Sequence, residues 1–134
     1  MANETPNNVN IDKLSEIQAL LLLLLESNEN EPIKSKTHLQ KEMFLIINEL
    51  NDEELKNTAQ YEAYRYGPYS EVVDFELEKL SVMNLVITLE NGKIALTEHG
   101  KKLVKELKKY AGPKLLNTIS KIKKDLMTFH MTVY

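Results

Sequence analysis

Apolar residues recur at helical spacing near the start of the chain. After Asn10, which fits a helix N-cap, a stripe runs from Ile11 to Leu25. Leucines also fill the opposite face, so the last two turns of this helix are apolar all round. In a short chain, this predicts burial within the fold on one side and against a second subunit on the other. We therefore expect Leu21 and Leu22 to lie in a dimer interface.

A second helix is predicted from a capping box followed by a buried stripe. Thr37 and Gln40 have the spacing at which a hydroxyl and an amide satisfy each other's backbone N–H groups. Residues 52–60 are acidic and irregular in pattern, with room for one short helical turn. The apolar positions that indicate one buried face of the second helix are Leu39, Met43, Ile46, Ile47 and Leu50.

Aromatic residues alternate in the segment YEAYRYGPY, residues 61–69. The alternation predicts a short strand, and Gly67-Pro68 predicts a sharp turn. Two interpretations of the tyrosines stay open: a recognition surface to which Arg65 adds charge, or rings on the core side of an extended segment. Ser70 then fits the N-cap of a third helix.

A β-hairpin is predicted over residues 85–97. Two runs rich in β-branched residues flank Asn91-Gly92, the pair that two-residue turns prefer because both positions need positive φ. In such a turn Glu90 and Lys93 would face each other across the strands.

Two more helices follow the hairpin. Thr97 is expected to cap the first, which runs to about Tyr110 with its lysines outward, and Pro113 is expected to begin the second. Apolar residues of the last helix are spaced 4, 3, 4, 3 and 4, which is typical of a seam against another helix. The residues of this helix predicted to form a dimer interface are Leu115, Ile119, Ile122, Leu126 and Phe129.

Composition narrows the class of protein. The chain has 134 residues and no Cys, which excludes thiol catalysis, Cys-ligated zinc and disulfides. The longest apolar run, Ala19 to Leu25, is shorter than the roughly 20 residues of a membrane helix, and no basic signal precedes it. We therefore expect a cytoplasmic protein with no membrane partner.

Charge is distributed unevenly along the chain. Residues 1–92 carry 17 acids against seven bases, and residues 93–134 carry ten Lys against three acids. This separation predicts either pairing of the two parts or one end that faces a polyanion. The lysines between residues 101 and 124 fit two interpretations: a stripe that contacts phosphates, or a solvated helix face.

The predicted order of three helices, a hairpin and a helix is that of a winged helix-turn-helix domain. Residues 77–103, LEKLSVMNLVITLENGKIALTEHGKKL, resemble the segment of MarR-like and PadR-like transcription regulators that runs from the third helix through the wing. The shared features are a Leu-x-x-Leu helix end, a hairpin, and Leu-Thr-x-x-Gly. Asn84 stands where those families usually carry Gly, and Asn also tolerates a left-handed helix end.

A second resemblance covers residues 38–86. HLQKEMFLI, YRYGPYS and a leucine-rich helix are similar to Panacea-type (SocA-like antitoxin) domains. Members of that group are often antitoxins or adaptors, so this resemblance implies protein binding as readily as DNA binding.

Together these patterns predict a mainly α fold with a small β-hairpin: a winged helix-turn-helix with flanking N- and C-terminal dimerisation helices. Residues 1–9 are expected to be a disordered polar tail, 10–111 the winged-helix domain and 112–134 a C-terminal dimerisation helix. The predicted function is that of a DNA-binding transcriptional regulator acting as a homodimer on double-stranded DNA. Its expected DNA-binding residues are Arg65, Tyr66, Ser70, Lys79 and Lys93.

The charge of the third helix favours an alternative. Glu71, Asp74, Glu76 and Glu78 outnumber Lys79, and an acidic surface repels phosphates. The alternative is a winged-helix interaction module, an antitoxin or an adaptor, whose acidic third helix binds a basic protein partner. A small-molecule sensor with a pocket between the first helix and the dimer seam is a third alternative.

No catalytic motif is present. His38 and Glu42 lie one helical turn apart and could share a metal, but the sequence offers no third ligand nearby. His99 and His130 have no sequence partner, and a solvated or helix-terminal position is the simpler interpretation of all three histidines. We expect no enzyme activity, no metal and no cofactor.

Overall fold

The computed structural model describes residues 10–128 and shows a mainly helical chain with two small antiparallel hairpins. No helix within this range is long and apolar enough to cross a membrane. The elements are α1 (Glu16–Asn30), α2 (Lys36–Leu50), α3 (Glu53–Ala59), β1 (Glu62–Tyr64), β2 (Gly67–Tyr69), α4 (Glu71–Val82), β3 (Val86–Thr88), β4 (Ile94–Leu96), α5 (Glu98–Leu107) and α6 (Pro113–Thr128).

The leucine-rich helix begins later than predicted. Asn10 caps only a single 3-10 turn, Ile11–Lys13, after which Leu14 is extended. Helix α1 starts after Ser15, whose side chain forms a capping box with Gln18. This box satisfies two backbone N–H groups at once, which a single Asn side chain cannot do.

Six leucines of α1, Leu20 to Leu25, are buried inside one chain. Helices α4, α5 and α6 and strand β4 all pack against α1. Leu21 and Leu22 are 0% exposed, so the prediction that they form a dimer interface is wrong. The all-round apolar surface does need cover on every side, but the same chain supplies that cover.

The heptad stripe of α6 also packs within the chain. Pro113 is the first residue of α6, as predicted, and the helix packs against α1 and α2. Ile119 is 1% exposed, so its predicted place in a dimer interface is wrong as well. Leu115 and Ile122 are partly buried against the core. Phe129, the last residue predicted for this interface, lies outside the described residues.

The capping box predicted for α2 is wrong, because Gln40 has a different partner. Ser35, and not Thr37, caps the helix by accepting a hydrogen bond from the His38 backbone N–H. The Gln40 Nε2 donates to the Ser70 carbonyl at 3.0 Å, and its Oε1 accepts from the Ser70 N–H at 3.1 Å. This buried amide ties the middle of α2 to the start of α4.

The tyrosine segment forms a two-stranded hairpin. Strands β1 and β2 pair antiparallel with Tyr64 opposite Gly67, so Arg65 and Tyr66 form the tip. The predicted turn at Gly67-Pro68 is therefore wrong, since both residues belong to β2. Strand β2 packs against α2, which fixes the hairpin on the body of the protein.

The second hairpin, β3–β4, lies where Asn91-Gly92 predicts it, but its loop has three residues. The Leu89 N–H donates to the Lys93 carbonyl at 2.7 Å, and the Gly92 N–H donates to the Leu89 carbonyl at 2.9 Å. Glu90 therefore lies in the loop, and its predicted pairing with Lys93 is wrong. Gly92 has φ +88°, as the last residue of such three-residue loops requires.

The start of α5 is fixed by the cap at Thr97 and by close packing at Gly100. The Thr97 hydroxyl donates to the Asn84 carbonyl at 2.7 Å and accepts from the Gly100 N–H at 3.0 Å, which confirms Thr97 as the N-cap. A Cβ on Gly100 would lie 2.2 Å from the Leu85 carbonyl oxygen, so only glycine fits. Asn84 has φ 63°, the left-handed conformation expected of it.

Candidate functional site

Helix α4 begins at a fully buried cap. The Ser70 hydroxyl donates to the Ala59 carbonyl and accepts from the Val73 N–H at 3.0 Å, while Gln40 pairs with the Ser70 backbone. Ser70 is 0% exposed, so its predicted contact with DNA is wrong. Its side chain instead anchors the start of α4 to the end of α3.

The outer face of α4 carries an acidic and apolar stripe. Glu71, Phe75, Glu78 and Val82 follow one another at steps of 4, 3 and 4 residues, which places them on one side of the helix. All four are exposed, Phe75 by 57% and Val82 by 80%. We call these four residues the α4 stripe. This is the face that would enter a DNA groove if α4 were a recognition helix.

The other charges of α4 are paired. Asp74 lies 3.5 Å from the Lys36 ammonium, and Glu76 lies 3.6 Å from Lys79. The Lys79 ammonium is also 4.7 Å from the centre of the Phe75 ring, so this predicted DNA contact is engaged within α4. Neither acid of the α4 stripe forms an ion pair with any residue that the structure describes. The stripe therefore carries two carboxylates that have no ion-pair partner among the described residues.

An apolar groove lies beside the α4 stripe. It has a volume of about 870 Å³ and runs between α4 and the first described residues of the chain. Leu14 and Met83 line it together with Phe75 and Val82 of the stripe. Glu78, Lys13 and Lys79 also line it, so an apolar side chain of a partner could be buried next to one carboxylate of the stripe.

A second groove, of about 780 Å³, lies between α2, the tip of the first hairpin and the end of α6. Tyr64 and Tyr66, 53% and 73% exposed, line it, which answers the open question in favour of a surface for these two rings. Tyr61 is different: its hydroxyl donates to a backbone carbonyl of α2, and burial raises its pKa. We call the second depression the hairpin groove.

The structure brings only some of the predicted site residues together. Arg65 and Tyr66 line the hairpin groove along with Leu126, which the sequence pattern assigns to a dimer seam. Lys79 lines the groove beside the α4 stripe. Lys93 is exposed at the tip of the other hairpin.

Two charged residues, Lys123 of the lysine run and Glu42 of α2, are buried in the core. Lys123 belongs to the lysine run but is 0% exposed, and its ammonium donates to the carbonyls of Leu25 at 3.3 Å and Ser27 at 2.6 Å. A solvated face is therefore the wrong interpretation at this position. Lys123 lies one turn after the buried Ile119, and this spacing is a sequence signal that could have identified it.

Glu42 is also 0% exposed, and neither of its carboxylate oxygens has a hydrogen-bond partner among residues 10–128. Burial raises the pKa of Glu42 to about 8, against the opposing attraction of Lys123. Burial likewise lowers the pKa of Lys123 to about 8, and the carboxylates of Glu42, Glu31 and Glu26 oppose this shift. Neither side chain is exposed, so neither can contact a partner. We therefore expect both groups to affect the stability of the core.

His38 lies in the first turn of α2 and is buried. Burial, with smaller effects from Lys34 and Lys41, lowers its pKa. In the part of the chain that the structure describes, no three His, Asp or Glu side chains lie close enough together to hold a metal ion. His99 is exposed, and His130 lies outside the described residues.

Comparisons with protein family models, curated proteins and solved structures found no match. Function must therefore be inferred from the surfaces of the chain itself. Two of them combine exposed apolar side chains with unbalanced charge: the α4 stripe and the hairpin groove.

Proposed function

We propose that the protein is a protein-interaction module with a winged-helix type of fold, and that the α4 stripe is its docking surface. The order of α1, α2, α4, the β3–β4 hairpin and α5 supports the winged-helix assignment. Helix α3 and the first hairpin are inserted before α4. Backbone bonds between Ile33 and Ile94 also tie the segment before α2 to the second hairpin.

The observation that carries this proposal is the chemistry of the α4 stripe. A helix that reads DNA must approach phosphates, and two unpaired carboxylates on its outer face oppose that approach. Phe75 lies between these two acids and Val82 lies one turn after Glu78, and both side chains are largely exposed. Exposed apolar groups next to an apolar groove are typical of a protein-binding surface.

The spacing of the stripe defines the expected partner. Glu71 and Glu78 are seven residues apart, which corresponds to about 10 Å along a helix. Two basic residues seven apart on a partner helix, or about three apart on an extended segment, would match them. The partner is thus a basic segment that also carries a bulky apolar side chain for the groove.

Photo-crosslinking tests this proposal in cells. A photoreactive amino acid at position 82 should form a covalent adduct with a protein. The same amino acid at Tyr110, an equally exposed residue outside the α4 stripe, should not. Replacing Glu71 and Glu78 by Lys should abolish the adduct at position 82. An adduct that survives this double charge reversal, or one formed only with nucleic acid, would contradict the proposal.

DNA binding by a homodimer is the second candidate. Arg65 and Lys93 are both exposed at hairpin tips, and Lys36 offsets the charge of Asp74 near the start of α4. A titration with mixed duplex DNA at low and at physiological salt tests it. Salt-sensitive binding that Arg65→Ala and Lys93→Ala both weaken would favour this candidate. Absence of binding at low salt would exclude it.

A further inference from the structure

We propose that the hairpin groove is a second docking site, independent of the α4 stripe, and that its occupant is an acidic peptide segment with one bulky apolar side chain. The two surfaces would then bind partners of opposite charge. A protein with two such sites can hold two different chains at once.

The apolar part of the site is preformed. Phe44, Leu45, Tyr66 and Leu126 line the groove around Tyr64, whose ring lies 5.0 Å from that of Tyr69. Tyrosine rings provide contact area at a low cost in conformational entropy. Leu45 is 40% exposed although it belongs to α2, so the floor of the groove is open to a ligand.

The hairpin is anchored to the body of the protein by hydrogen bonds and ring packing. The Tyr61 hydroxyl donates to the Gln40 carbonyl at 3.2 Å, and the Tyr61 ring packs edge-on against Phe44 at 5.2 Å. The Gln40 amide also pairs with the Ser70 backbone, directly after β2. A site that is already ordered loses little free energy on binding.

Charge selects the occupant. Arg65 and Lys41 line the groove, and Lys34 lies just before the start of α2. The positive end of the α2 dipole adds to this field. An arginine on an exposed tip can bind a single carboxylate through two hydrogen bonds.

The site fits a peptide better than a nucleic acid. Binding to a phosphate backbone depends on many neutralised phosphates, and the groove offers two bases. An apolar groove lined by two basic residues suits one anchor side chain flanked by carboxylates.

Fluorescence anisotropy with three labelled nine-residue peptides tests the inference on the full chain. The peptides share a central Leu-Phe anchor and differ only in their flanks, which are Glu, Ser or Lys. The Glu peptide should bind about tenfold more tightly than the Ser peptide, and the Lys peptide most weakly at this groove.

Paired variants locate the binding. Tyr66→Ala and Arg65→Glu should each weaken the Glu peptide by about fivefold or more. The matched controls Tyr110→Ala and Lys93→Glu, which change an exposed tyrosine and the other hairpin tip, should leave it within about twofold. Phe75→Ala should have no effect either, because it lies on the α4 stripe.

Other outcomes overturn the inference. Equal affinity for the Glu and Ser peptides, tighter binding of the Lys peptide at the groove, or no binding at all would each refute an acidic occupant. Self-association that Tyr66→Ala abolishes in sedimentation velocity would assign the groove to a second copy. Crosslinking at position 82 is a separate measurement, so the α4 proposal stands or fails independently.

Discussion

Replacing the buried Glu42 by Gln should make the stability of the protein less sensitive to pH. Glu42 is fully buried without a hydrogen-bond partner in the described part of the chain, so its ionised form is unfavourable there. Burial raises its pKa from 4.5 to about 8 in the folded protein. Between these values the folded state holds a proton that the unfolded state has lost.

The sign and size of the effect follow from this difference in pKa. Because the folded pKa is raised, stability is fully present below pH 4.5 and decreases as the pH rises towards 8. At about 1.4 kcal/mol per pKa unit, the loss is about 1 kcal/mol at pH 5, about 3 at pH 7 and about 4 at pH 8. Gln does not ionise, so the E42Q variant lacks this loss at every pH.

Urea denaturation followed by circular dichroism at pH 5, 6, 7 and 8 measures the effect. The free energy of unfolding of E42Q, minus that of the wild type, should increase by about 3 kcal/mol from pH 5 to pH 8. Any constant cost of burying an amide cancels from this change.

Glu49→Gln, an exposed position on the same helix, is the matched control and should change by less than about 0.5 kcal/mol. A difference for E42Q that stays flat with pH would refute the reasoning. A difference that decreases with pH would show that ionised Glu42 stabilises the fold by pairing with Lys123.

Three further predictions concern the fold. Gly100→Ala should destabilise the protein by about 2 kcal/mol or more, because its Cβ would collide with the Leu85 carbonyl. Gly112→Ala has open space around its Cβ and should be tolerated. The thermal unfolding midpoints of the two variants test this difference. Gln40→Ala should cost about 2 kcal/mol in urea denaturation, since it removes both hydrogen bonds to the buried Ser70 backbone. Sedimentation at tens of micromolar should show a monomer, because the leucine-rich stripe of α1 is covered within one chain; a dimer would require another surface.

Local signals in the sequence predicted the features that depend on a few neighbouring residues. Thr97 as an N-cap, Pro113 at the start of a helix and Asn84 in the left-handed conformation were all predictable. A cap forms its hydrogen bond three residues away, and a φ preference belongs to one residue. The tertiary structure has little influence on such choices.

Predictions failed where two local choices competed or where the partner was distant in sequence. Either Ser35 or Thr37 can cap a helix, and the structure uses Ser35 while Gln40 bonds to Ser70, thirty residues later. The acidic character of α4 was visible in the sequence, but the ion pair of Asp74 with Lys36, which leaves the stripe acids unpaired, was not. The hairpin groove combines α2, a hairpin and α6, so no continuous segment could reveal it.

The sequence by itself therefore determined where helices and hairpins form and which of their faces are apolar, because both depend on residues within a few positions of one another. Only the tertiary structure decided what covers those faces. Leu21 and Leu22 are covered by the same chain, and Glu42 and Lys123 lie in the core although they are charged. Burial is a property of packed elements, so a pattern along the chain shows that a face needs cover without specifying its source.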